Sequence, residues 1–240
     1  MTRSVVFRGT TRCPHCQMAP RWCICAGARA VRLPFAVDVL MHNGEAWKPS
    51  GTGNLIRRIV TGARRHMYHN QIPPHREDVC LAASGDGGAG RTTWILHPRG
   101  DALADIVRDG DGHGGPLALE NLQVLLIDGT WAQATDMLRH AGGWGRKVSL
   151  PASALPGGSR YWLRAQHHPA HFSTIEALMG LLNALGCGCE CAALREQFEL
   201  HVYASLLARG HKARAGQFLA DSPIKNAMPG LVQTLQTGAE

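Results

Sequence analysis

The sequence predicts an α/β fold, and three of its features carry that prediction. Apolar segments of strand length alternate with segments of helical period along the chain. Leu122–Ile127 is a continuous apolar run, the pattern of a strand covered on both faces and so of a parallel sheet. Ser173 and Glu176 form a capping-box pair ahead of the helical stripe Ile175, Leu178, Met179, Leu182 and Leu185, which Gly186 ends.

The elements follow in order. Residues 11–26 are a cysteine-rich lead segment. Residues 35–41 read as a mostly buried strand ending at His42, and a loop rich in Gly, Pro and Ser runs from Asn43 to Gly53. A helix starts near Thr52 or Asn54, with Leu55, Ile56 and Ile59 inward and Arg57 and Arg58 outward. Val79–Ala83 and Thr93–Leu96 are expected as short strands on either side of the glycine-rich stretch Gly85–Gly90, and His97-Pro98-Arg99-Gly100 breaks the second. After Leu122–Ile127 a helix runs from about Ala132 until Gly142-Gly143 stops it. A further helix covers Ala192–Ala208, and the basic, then Pro- and Gly-containing chain after Gly210 reads as loosely held. There is no internal repeat.

A chain of 240 residues holds one sizeable domain, or one with a small appendage. Its 45% hydrophobic and 18% charged residues are those of a soluble globular protein rather than a disordered one. No apolar run reaches 18 residues, so no membrane partner is expected, and Met1–Val5 has no signal-peptide character, which makes the cytoplasm the expected location. The net charge of +7 is unevenly placed, with 12 Lys/Arg against 2 Asp/Glu in residues 1–76 and 13 against 16 in the remainder. A basic stretch of this size points either to an anionic partner, nucleic acid first, or to a solubility device.

Cys13-Pro14-His15-Cys16 and Cys23-Ile24-Cys25 give the spacing C-x2-C-x6-C-x-C. Two close pairs of thiolates can surround one ion tetrahedrally, and four sulfurs favour zinc. With all four positions filled by protein the site is structural, folding a segment too short for its own core. An iron–sulfur cluster or unpaired core cysteines are the competing readings. Arg12, His15, Arg21 and Trp22 lie in or beside these loops, where they can also touch RNA. Cys187, Cys189 and Cys191 stand too close in sequence to arrange around one ion, and no function is assigned to them.

Asp128-Gly129-Thr130-Trp131 follows the apolar run directly, placing a carboxylate at the C-terminal edge of the sheet, where open α/β sheets bind ligands. Gly129 permits a tight turn and Thr130 can cap the next helix. The structural alternative is that Asp128 or Thr130 is only an N-cap and Trp131 only core.

Four blocks, in order, resemble the DTW-domain family. They are the cysteine lead; Met41-His42-x-x-Glu45-x-x-Lys48-Pro49-Ser50-x-Thr52-Gly53-x-Leu55-Ile56; Asp128-Gly129-Thr130-Trp131; and Tyr161-x-Leu163-Arg164 running into Ser173-Thr174-x-Glu176-Ala177. The resemblance implies a SPOUT-like, mostly parallel sheet with a knotted cosubstrate pocket. It also implies a tRNA-uridine aminocarboxypropyltransferase, which moves the 3-amino-3-carboxypropyl group of S-adenosylmethionine onto uridine N3 and releases 5′-methylthioadenosine. By position, Pro49, Ser50, Thr52, Gly53 and Gly129 should line the cosubstrate pocket and Ser173, Thr174 and Glu176 should close it. Asp128, Thr130 and Trp131 are the candidate catalytic residues. Two positions depart from the family pattern, Gly51 where Asn is frequent and Asn54 where Arg is frequent. The expected division is a zinc-binding segment over 1–32, a DTW/SPOUT-like catalytic domain over 33–210 and a tail over 211–240.

On this basis Asp128 takes the uridine N3 proton or orients its loss, or instead holds the cosubstrate ammonium. Arg57, Arg58, Arg64 and Arg65 are either a phosphate-binding stretch for tRNA or a solvated helix face. Tyr161 and Trp131 are candidates to stack a splayed base, with core packing as the other role open to each. His42 is the one histidine beside the loop. tRNA is the expected partner, and DNA is not. The enzymatic rival is a SPOUT-type RNA methyltransferase using the same cosubstrate, and the rival of another class is a non-catalytic zinc-containing RNA-binding protein.

Overall fold

The computed structural model describes residues 11–80, 91–109, 118–155, 157–163 and 172–237. Its centre is a five-stranded sheet in which every pairing is parallel. The first strand, β1 (Ala36–His42), is buried along almost its whole length, as its apolar sequence requires. The chain then turns through a loop into α1 (Thr52–Ile59), whose Leu55, Ile56 and Ile59 face inward as expected.

β2 (Arg64–Tyr68) follows, where hydropathy gave no strand. The strand exists because its alternate polar residues have a buried acceptor. Asp38 on β1 accepts from Arg64 Nε at 2.7 Å and from Gln123 Nε2 at 2.6 Å, and lies 2.7 Å from His66 Nε2. Burial pushes the Asp38 carboxyl up, but the bonds from His66, Arg64 and Gln123 outweigh it and hold it below its ordinary range. Val79, expected to open a strand, instead closes the short helix α2 (Arg76–Val79), and its carbonyl accepts from both Arg64 and Gln123. The remainder of that expected strand, and Gly85–Gly90, lie outside the described residues.

β3 (Thr92–Ala102) runs through His97-Pro98-Arg99-Gly100, which forms a bulge rather than a break: Leu96 and Asp101 both pair with Val148. Gly100 is required there, since a Cβ would lie 2.5 Å from the Lys147–Val148 peptide. α3 (Leu103–Asp109) leads to β4 (Leu122–Asp128), then α4 (Trp131–Ala141) and β5 (Arg146–Ser149), giving the order β2-β1-β4-β3-β5. α5 (Thr174–Ala184) lies on the same sheet face as α1, and α4 covers the other.

α6 (Gly188–Ala208) starts earlier than its apolar pattern suggested and packs behind α5 and α1. The expected loosely held tail is instead three helices, α7 (Lys212–Ala220), α8 (Ile224–Ala227) and α9 (Pro229–Thr237). Phe218, Ile224, Val232 and Leu235 bury against the core while Lys212 and Arg214 stay outside, so basic composition masked an amphipathic segment. The lead segment packs on the same end: a Cβ at Gly27 would fall 2.5 Å from Leu231 and 2.9 Å from Leu200, and Gln197 bonds to the Gly27 carbonyl at 3.0 Å. Among the described residues no helix is long and apolar enough to cross a membrane.

His201 on α6 is wholly enclosed. Burial, aided by the charge of Arg58, pulls its pKa from the ordinary 6.5 down to about 3, with the Ser50 carbonyl pulling the other way and Arg209 adding less. Between those two values the unfolded chain binds a proton that the folded chain refuses, so stability falls as pH drops below 6.5, by up to about 1.4 kcal/mol per unit. His201→Leu should therefore flatten the dependence of Tm on pH between 6.5 and 4. An unchanged slope would show that other groups set it.

Candidate active site

β4 delivers Asp128 to the sheet face covered by α1 and α5, with only 7% of the residue exposed. A buried carboxylate needs donors and favourable charge nearby. Here the first turns of two helices supply them. The Thr174 hydroxyl, at the start of α5, donates to Asp128 Oδ1. Gly53, in the first turn of α1, approaches so closely that a Cβ would come within 2.6 Å of Asp128 Oδ2 and 2.9 Å of Met41 Cε. Helix N-termini carry partial positive charge, so both favour a negative group between them.

The loop that feeds α1 is fastened at several points. Lys48 pairs with the buried Glu45 at 2.5 Å, and the Gly51 N–H bonds to the Lys48 carbonyl at 2.9 Å. The Tyr161 hydroxyl donates to the Ser50 carbonyl at 2.8 Å, while its ring stacks on Phe198 at 6.3 Å between centroids. Asn54 is buried and donates to the Ala46 carbonyl at 3.0 Å, and its oxygen accepts from Arg65 Nη1 at 2.9 Å. Asn54 thus fixes a guanidinium carried by β2 beside this loop.

Glu176 is 2% exposed, and its two oxygens accept from the Ser159 hydroxyl, the Arg160 and Tyr161 amides, and the amide and hydroxyl of Ser173. The capping box expected for α5 is present, and it also pins the 159–161 segment to the helix start. Arg160 continues outward to Glu199 at 3.0 Å and to the Phe218 carbonyl at 2.7 Å. Glu176 and Ser173 are therefore engaged in building the wall around Asp128 and Thr174.

Thr130 caps α4 through a reciprocal pair with Gln133. Gly129 is crowded, with a Cβ falling 2.9 Å from Met137 Cε. Trp131 is 51% exposed rather than core, and Tyr161 is the buried one of the two aromatic candidates. His42 points to the opposite sheet face, where its ring lies 6.4 Å from that of Tyr68. The four arginines separate: Arg64 is held by Asp38, Arg58 bonds to the Cys16 carbonyl at 3.1 Å, Arg65 is held by Asn54, and Arg57 is exposed. Arg164 lies outside the described residues. Sequence reasoning missed Asn54 as an organising residue and Trp47 altogether; neither belongs to a periodic pattern.

The Sγ atoms of Cys13, Cys16, Cys23 and Cys25 all lie within 4.8 Å of one another, with Cys13 to Cys25 at 3.5 Å and Cys16 to Cys23 at 3.7 Å. Four thiolates bound tetrahedrally at about 2.3 Å have sulfurs about 3.8 Å apart, so the quartet fits a single metal ion. Gln17 takes a left-handed φ of 62° to turn the first loop. The Cys16 amide, chiefly, draws the Cys13 thiol down to about 6, whereas burial pushes the Cys23 and Cys25 thiols up. Cys187, Cys189 and Cys191 start α6, where helical geometry splays them and leaves Cys189 exposed.

A cleft of about 440 Å³ lined by Phe35, Ala36, Arg64, Arg91 and Glu120 opens at the opposite, N-terminal ends of the strands and takes no part in this site. Removing the Glu176 carboxylate should strand the Arg160 and Ser173 amides, while the Tyr161 amide keeps the Ser159 hydroxyl at 3.2 Å. Glu176→Ala is expected to cost about 3 kcal/mol in urea unfolding, and a loss below about 0.5 kcal/mol would deny it this bracing role.

The pattern of the family described as DTW domain matches residues 10–206 of the chain. No solved structure matches it.

Proposed function

This chain belongs to the DTW-domain family, the family of tRNA-uridine aminocarboxypropyltransferases, and we propose that it transfers the 3-amino-3-carboxypropyl group of S-adenosylmethionine to N3 of a tRNA uridine. Membership supports a tRNA-modifying role. The observation that supports a ligand site for this reaction is the convergence of Gly53 and Thr174 on Asp128 at the C-terminal edge of a parallel sheet.

S-adenosylmethionine supplies an electrophilic γ-carbon on a sulfonium. The N3–Cγ bond forms, the Cγ–S bond breaks with its electrons remaining on sulfur in 5′-methylthioadenosine, and the N3 proton leaves. Orientation of that carbon toward the base, rather than reagent strength, selects this transfer over methylation. Pro49, Ser50, Thr52, Gly53 and Gly129 line the cosubstrate site, with Thr174 closing it and Ser173 and Glu176 bracing the closure. This arrangement goes with the SPOUT-like, knotted pocket that the resemblance implies. Asp128 takes the N3 proton or orients its loss, held in place by the Thr174 hydroxyl. The two helix N-termini beside it also favour a second role, a permanent negative charge that holds the cosubstrate ammonium. Trp131 stacks on the RNA from the rim. The cysteine quartet holds a structural zinc with no open coordination position, and the protein works in the cytoplasm on tRNA.

Unmodified tRNA transcripts incubated with the protein and S-adenosylmethionine should yield, after digestion, a uridine heavier by one aminocarboxypropyl group. Asp128→Asn should lower kcat by about a hundredfold or more, whereas a rise in cosubstrate KM alone would assign Asp128 to the ammonium. A methyl gain would indicate the SPOUT-type methyltransferase, and no gain on any tRNA would leave a non-catalytic RNA-binding protein.

The purified protein should carry about one zinc per chain. Cys16→Ser should lose it and lower Tm, since binding energy here is folding energy. A zinc-free variant of unchanged Tm would contradict a structural role.

A further inference from the structure

Trp47 is 89% exposed, although the turn that carries it is fixed. The Ala46 carbonyl is held by Asn54, the Lys48 amide bonds to the Glu45 carbonyl at 3.1 Å, and the Lys48 ammonium is tied to the Glu45 carboxylate. A tryptophan so uncovered adds almost nothing to folding, because its apolar surface stays in water. A large aromatic on a rigid backbone is the arrangement of a binding anchor.

Asn54 relates this turn to a charged one. Its amide nitrogen holds Ala46 and its oxygen holds Arg65, so one buried side chain fixes the Trp47 turn relative to the Arg65 guanidinium. Burial first, and then the charge of Arg57 beside it, lower the pKa of Arg65. Among the described residues neither Arg57 nor Arg65 has an acidic partner, and both belong to the first 76 residues, which hold 12 basic against 2 acidic. Two guanidinium groups kept close without a counter-charge suit a phosphate, and the neighbouring indole suits a base.

We propose that Trp47, Arg57 and Arg65 form a nucleotide-binding surface for the RNA substrate, with Trp47 stacked on an unpaired base, the arginines on an adjacent phosphate, and Asn54 as the positioning residue between them. This rests on RNA being the substrate. Cosubstrate binding is left to the neighbouring Asp128 site.

The test measures binding of an unmodified tRNA transcript to the full chain by filter binding over a range of salt, and binding of S-adenosylmethionine separately by calorimetry. Trp47→Ala should weaken tRNA binding about tenfold while Trp47→Phe keeps most of it. Arg57→Gln should reduce the slope of log K against log salt by about one. Asn54→Ala should weaken binding, and adding Trp47→Ala to it should cost less than in the wild type. Unchanged tRNA affinity in Trp47→Ala and Arg57→Gln would overturn the proposal, as would loss of S-adenosylmethionine affinity with tRNA affinity intact. Since binding is read without turnover, a wild type that binds tRNA through these residues but transfers nothing would refute the proposed reaction and leave this surface standing.

Discussion

A buried carboxylate at the end of a strand is tolerable only if something positive reaches it, and at Asp128 two helices do so with their N-termini. The sheet fixes the carboxylate, Gly53 lets α1 come within contact, and Thr174 supplies the donor from α5. Neither helix could shift by an ångström without costing the carboxylate its surroundings. Much of the remaining structure can be understood as holding those two helices in place.

The supports come from both ends of the chain. α1 is held from below by Arg58, whose guanidinium reaches the Cys16 carbonyl, so the cysteine segment and the helix over Asp128 are mechanically joined. α5 is held through Glu176, the 159–161 segment and Arg160, which is anchored in turn by Glu199 of α6 and the Phe218 carbonyl of α7. Arg160 also stacks on the Phe218 ring at 4.0 Å. The metal-type cluster and the C-terminal helices thus bear on the site through Arg58 and Arg160 and through the packing of α6 on α5 and α1.

The apolar core was legible because it is periodic: β1, β4, α1 and α5 appear close to where hydropathy and capping signals place them. β2 was not, since its inward residues are Arg64 and His66, and only the partner Asp38 on another strand makes them buried. The strand expected at Val79 fails for a similar reason, as that residue serves as a lid over the same polar belt. In the site, the Asp128 turn and the loop ending at Gly53 could be found from sequence motifs. The engagement of Glu176 in wall-building, and the split of the four arginines into buried braces and exposed charges, depend on contacts across more than ten residues of sequence and leave no local trace.

Gly27 touches Leu231, and that contact has a consequence for biosynthesis. The cysteine segment leaves the ribosome well before the helix it packs against. At roughly 5–20 residues per second, about 200 residues of synthesis separate the two, some ten to forty seconds. During that interval the four thiols lack the cover of the C-terminal helices, and an ion held between them would restrain the segment locally. Early metal capture would then act as a chaperone within the chain, keeping these cysteines from oxidation until the C-terminal helices arrive.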